Sequence, residues 1–133
     1  MTGAILLPTA YFPPVGYFAY ILFHETLYIE QMETYPKQTY RNRCEIMTSG
    51  GRQNLIVPVN KPHGNHTLTL NAGISYREDW PRHHWKSIET AYHSSPYYAY
   101  YADFLEPLIK QKKSSLLRCN TDILAMLLKV IGI

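Results

Sequence analysis

Cysteine is scarce in this sequence: Cys44 and Cys119 are the only two in 133 residues. They lie far apart and match no metal-binding or redox spacing. They read as reduced thiols of a cytoplasmic protein, with no disulfide framework. Charge is scarce too, at 17% of residues, and the formal net charge is only +3. That balance is compatible with an anionic ligand but too weak to argue for nucleic acid, and no basic tail is present. No uncharged apolar run approaches the ~20 residues of a membrane span. The C-terminal run is interrupted by Lys129. No cationic segment precedes residues 4–7, so no secretory signal is expected. Gly-rich phosphate loops of the P-loop and dinucleotide types are missing, as is a nucleophile elbow. No cofactor is therefore expected. No metal is expected either, because His63 and His66 share a loop without matching cysteines or an acidic cluster.

What is present is apolar and aromatic. Hydrophobic residues make up 46% of the chain, and 12 residues are tyrosine. A chain of this length and composition forms one domain, residues 1–133, with a real core. Tyrosine buries a ring while keeping a hydroxyl that needs a partner, which suits binding sites and half-buried packing alike.

The chain reads outward from residues 4–17, AILLPTAYFPPVGY. Residues 4–7 form a short apolar run suited to a buried strand. Pro8 ends it, and Tyr11-Phe12-Pro13-Pro14 makes a stiff turn. Gly16 is expected to let the backbone approach another group closely. Residues 17–23 read as a short helix and residues 27–29 as a second strand. The three pieces suggest a parallel βαβ-like unit, with Gln31 just past the carboxyl end of the second strand, where ligand contacts belong in open α/β sheets. Residues 44–47 and 54–59 form a β-hairpin about Ser49-Gly50-Gly51-Arg52. Residues 67–70 alternate and suggest a further strand, with another over residues 74–76. After Trp80 the chain turns helical. Asp79 or Trp80 caps a helix with Pro81 in its first turn. The next helix is expected to be kinked or divided at Pro107. A last helix over residues 123–131 is capped by Asn120 or Thr121 and closed by Gly132. The fold class is mixed α and β, with the strands first and the helices dominating the C-terminal half.

That last helix is apolar on nearly every side, so it must be covered on most of them. It is expected to pack centrally, to meet a second copy of the chain as a homo-oligomer, or to be covered by residues beyond Ile133.

Two polar stretches could carry chemistry. In Tyr40-Arg41-Asn42-Arg43, two guanidinium forks share one strand face, an arrangement suited to phosphate or carboxylate. Two ordinary surface arginines fit the same pattern. In WPRHHWK, residues 80–86, His83 or His84 could serve as an acid–base group, since histidine titrates near neutrality. Adjacent histidines point apart on a helix and are poor joint metal ligands.

The sequence resembles the WbqC-like protein family of bacteria, in a version similar to Bacteroidetes members. The resemblance is carried by LLPTAYFPPVGYFAYI, YRNRCEI, LIVPV, WPRHHWKSIETAYHSSPYY and LLRCN in that order. It implies a role in surface-polysaccharide (O-antigen) biosynthesis, with no agreed reaction. It also implies that members extend past the helix that ends here, so a shortened C-terminus is expected. Combined with the local chemistry, the expectation is an enzyme of the transferase type acting on an activated sugar, such as a sugar nucleotide, or on another phosphate-bearing intermediate. Tyr11, Gly16 and Tyr17 would wall the pocket. Gln31, Tyr40, Arg41, Asn42 and Arg43 would hold the ligand, and His83 or His84 would move the proton. The alternative is a non-catalytic module docking an envelope-biosynthesis partner.

Overall fold

A computed structural model of the chain describes residues 3–133. Strand β1 (Ala4–Pro8), helix α1 (Val15–Leu22) and strand β2 (Thr26–Glu30) form the anticipated unit, the two strands pairing in parallel from Ala4↔Thr26 to Pro8↔Glu30. Strands β3 (Arg43–Thr48) and β4 (Gly51–Ile56) form the hairpin, closed at Thr48↔Gly51 around Ser49-Gly50. The short strands β5 (Val59–Asn60) and β6 (Gly73–Ile74) pair antiparallel. Helices α2 (Trp80–Tyr92), α3 (Tyr98–Lys110) and α4 (Leu116–Ile131) complete the described chain. The Asp79 carboxylate accepts from the Arg82 backbone N–H and Pro81 sits in the first turn of α2, as the capping pattern implies.

Two local expectations fail, and the one at Pro107 loses its alternative of a divided helix. Residues 67–70 are not a strand: Thr69–Asn71 is a short 3-10 turn. There the threonines face inward, with Thr67 and Thr69 buried, while Leu70 is exposed. The Thr67 hydroxyl accepts from the His63 N–H, and the Thr69 N–H donates to the Glu33 carbonyl. These bonds outweigh the apolar alternation. Helix α3 runs through Pro107 undivided. Helix α4 begins at Leu116 rather than at Ile123. Its cap is neither Asn120 nor Thr121 but Ser115, whose hydroxyl accepts from the Arg118 N–H.

Helix α4 sits between two apolar clusters. Ile123 joins the larger one, with Tyr11, Leu55, Val57, Trp80, Trp85 and Ile109. Leu124 joins the smaller one, with Ala10, Tyr17 and Ile21 from the βαβ unit. An apolar circumference is what a helix needs when it is wedged between two cores. Central packing thus covers the first part of α4. Leu127 and Leu128 are half-buried and Ile131 is 57% exposed, so the last turns are less covered.

Candidate functional site

The loop leaving β1 and the turn at residues 39–42 are laced together. The Tyr11 N–H donates to the Tyr40 carbonyl at 2.9 Å. Asn120, buried on α4, donates through Nδ2 to the Arg41 carbonyl at 2.8 Å and to Thr9 Oγ1 at 3.1 Å. Asn42 exchanges bonds with Val57: its Nδ2 donates to the Val57 carbonyl, and its own carbonyl accepts from the Val57 N–H. One buried amide side chain, that of Asn120, therefore fixes the strand end, the arginine turn and a helix relative to one another.

The two arginines have different fates. Arg41 is held bidentately by Glu33, with Nε donating to Oε1 at 2.7 Å and Nη2 to Oε2 at 3.2 Å. Its charge is met within the chain. Arg43 makes no ion pair among the described residues, and its Nε is buried without a hydrogen-bond partner. It lines a groove of about 460 Å³ with Gln38, Thr39, Tyr40, Glu45 and Asn54. Gln38 adopts a positive φ of 55°, an uncommon conformation for a residue with a side chain. Tyr40 is exposed, so its ring is open to a ligand. Glu45 is the acidic side chain of this groove, and it makes a long, solvent-exposed ion pair with Arg52 at 3.7 Å. The Tyr35 hydroxyl is likewise buried and unpartnered. Burial pushes it up to about 12, while the nearby Arg41 and Arg43 guanidinium groups pull it down.

The other anticipated residues lie elsewhere. Tyr11 is fully buried rather than forming a pocket wall, and its hydroxyl meets His84 Nδ1 at 2.8 Å. His84 Nε2 lies 3.0 Å from the Ile56 carbonyl. A carbonyl only accepts, so Nε2 carries the proton, and Nδ1 accepts from Tyr11. Burial pushes His84 down to about 4; the Ile56 bond opposes this, and His83 adds to it. Burial also raises Tyr11 well above the usual tyrosine range. Both ring nitrogens of His84 are engaged, leaving neither to meet a ligand. His83 is exposed in a separate depression with Arg82, Lys86, Glu89, Glu106 and Lys110. The Tyr17 hydroxyl donates to the Pro8 carbonyl at 2.7 Å, pinning α1 to β1. Gly16 is exposed, and a Cβ there would meet nothing within 4 Å, so no close approach requires glycine. Gln31 is exposed, and its carbonyl accepts from the Leu70 N–H. Among the described residues no group of three His, Cys, Asp or Glu side chains could hold a metal. No described helix is long and apolar enough to cross a membrane.

Sequence reasoning missed Glu33. It sits in a polar stretch without periodicity, and only the fold brings it to Arg41. Arg41→Ala should cost about 1–2 kcal/mol, because it strands a partly buried carboxylate. Urea unfolding of this variant and of the Arg41→Ala/Glu33→Gln double variant checks this: the double variant should recover part of the loss.

This is a mixed α/β domain with a polar, arginine-bearing groove beside its hairpin. The family model of the WbqC-like protein family matches residues 9–133, and the chain belongs to that family. It is also similar to the uncharacterized protein Rv1507c of Mycobacterium tuberculosis, with 29% identity over 134 residues. That match covers 100% of this chain and 58% of the relative, so the chain spans under two thirds of the relative's length. No solved structure matches the chain.

Proposed function

We propose that the chain binds a phosphate-bearing sugar intermediate of surface-polysaccharide synthesis in the groove beside Arg43. The observation that carries this reading is Arg43, which has no ion-pair partner among the described residues and lines a groove that also offers Gln38, Thr39 and Asn54. A guanidinium lacking an internal anion is suited to phosphate. Amide and hydroxyl groups can bond sugar hydroxyls, and the exposed Tyr40 ring can pack on a sugar face. The polysaccharide context comes from the family resemblance. The geometry supports recognition ahead of proton transfer, since His84 is occupied and His83 belongs to another depression. A transferase step at this groove therefore needs a proton-transfer group other than His84.

Thermal unfolding in the presence of sugar nucleotides and sugar phosphates tests the reading. A ligand at 100 times its Kd stabilises the folded chain by about 2.7 kcal/mol. Arg43→Gln should weaken such a ligand about tenfold or more, the loss expected for a charge-assisted bond. An unchanged affinity in Arg43→Gln would remove the groove from consideration.

A further inference from the structure

Where the chain enters α2 and α3 runs out, the surface dips into a depression of about 490 Å³. That volume is in the range of small-molecule sites, roughly 300–1,000 Å³. The depression shares no lining residue with the Arg43 groove. Four cations line it: Arg77, Arg82, Lys110 and Lys112. Lys110 is paired with Glu106. Arg77, Arg82 and Lys112 make no ion pair among the described residues. Two carboxylates line the depression as well, and neither pairs with these three cations. Asp79 caps α2 by accepting the Arg82 backbone N–H, and Glu78 is exposed.

The aromatic wall of the depression is fixed. The Tyr76 hydroxyl accepts from the Lys113 N–H at 2.7 Å, which ties the approach to α2 to the segment after α3. The Tyr76 ring stacks on Trp80, with centroids 5.6 Å apart. Lys112 Nζ lies 5.6 Å from the centre of the Tyr76 ring, so a cation–π contact keeps the ammonium at the depression. The cations are held there against electrostatic opposition. They repel one another, and Arg82 stands in the first turn of α2, a turn without an acidic residue. The partial positive charge of the helix disfavours a cation at that position.

We propose that this depression is a second anion site, taking a phosphate-bearing ligand through Arg77, Arg82 and Lys112. Charge complementarity selects the ligand. Two carboxylates are already at hand and leave the three cations unpaired. A phosphate group brings about −1.5 to −2 charges, with oxygens that match guanidinium forks. Binding here is independent of the sugar-phosphate reading of the Arg43 groove.

The test titrates inorganic pyrophosphate into the full chain and follows the Nε–H signals of Arg77 and Arg82 by nitrogen-15 NMR, which reads this site apart from the groove. Both signals should shift saturably and with one affinity. Arg77→Gln should weaken the binding read at Arg82 about tenfold, and Arg82→Gln the binding read at Arg77. Glu78→Gln should tighten it. Lys129→Gln removes the same charge from an exposed position on α4 outside the depression, and should change the affinity less than about twofold. All four replaced side chains are exposed, so melting temperatures should stay close to that of the wild type. Equal weakening by Lys129→Gln would reduce the effect to overall charge and overturn the site. Malonate, a dianionic carboxylate, binding as tightly as pyrophosphate would overturn the choice of phosphate. Signals of Arg77 and Arg82 that stay still up to millimolar pyrophosphate would overturn the proposal outright.

Discussion

Replacing His84 by alanine is expected to lower the unfolding free energy by about 2–4 kcal/mol, among the larger effects of any single change in this chain. The imidazole is buried and bonded at both nitrogens, to the Tyr11 hydroxyl and the Ile56 carbonyl. Alanine leaves a cavity beside Trp80 and strands a fully buried phenol. The same site gives a pH dependence of defined sign. His84 sits at about 4 when folded, below its usual 6.5. Between those values the unfolded chain binds the extra proton. Stability from this group is therefore complete above about pH 6.5 and is lost as pH falls toward 4, by a total of about 3 kcal/mol. Urea unfolding of the wild type and of His84→Ala at pH 7 and pH 4.5 checks this. The gap between them should narrow at the lower pH. A constant gap would mean that His84 does not titrate in that window.

Asn120→Ala is expected to cost about 2–3 kcal/mol and to weaken ligand binding at Arg43 as well. Its Nδ2 bonds Thr9 and the Arg41 carbonyl from a fully buried position. Removing it frees the turn that leads into Arg43. Asn120→Asp keeps the shape but loses the donor and introduces a carboxylate where burial favours the protonated form. That variant should gain stability relative to wild type as pH falls from 7 to 5, which Asn120→Ala should not. Chemical denaturation at the two pH values separates them. A wild-type-like Asn120→Ala would show that the three segments are held without this side chain.

The contrast between these residues and the sequence pattern explains what could be read in advance. The βαβ unit and the hairpin announce themselves through apolar runs bounded by Pro8 and Ser49-Gly50, because both signals are local. Helix α2 does so through Asp79 and Pro81. Residues 67–70 mislead because Thr67 and Thr69 are buried by bonds to His63 and Glu33, partners that no local window contains. The start of α4 is obscured by the polar Arg118 and Asn120. Asn120 has the residue type of a cap, whereas it is a buried tie to Thr9 and Arg41. The candidate residues are legible as types but not by role. Tyr11 and His84 both attract notice in the sequence, and only the fold, joining residues 73 positions apart, makes them a core pair. Arg41 and Arg43 look equivalent until Glu33 claims one of them.

The difference between the two arginines is also where ligand recognition is tested most directly. Nitrogen-15 NMR can follow the Nε–H signals of Arg41 and Arg43 during titration with glucose 1-phosphate. The expected result is a saturable shift of the Arg43 signal, with the Glu33-bound Arg41 signal nearly still. An Arg43 signal that does not move while the sugar phosphate binds would contradict recognition at this groove.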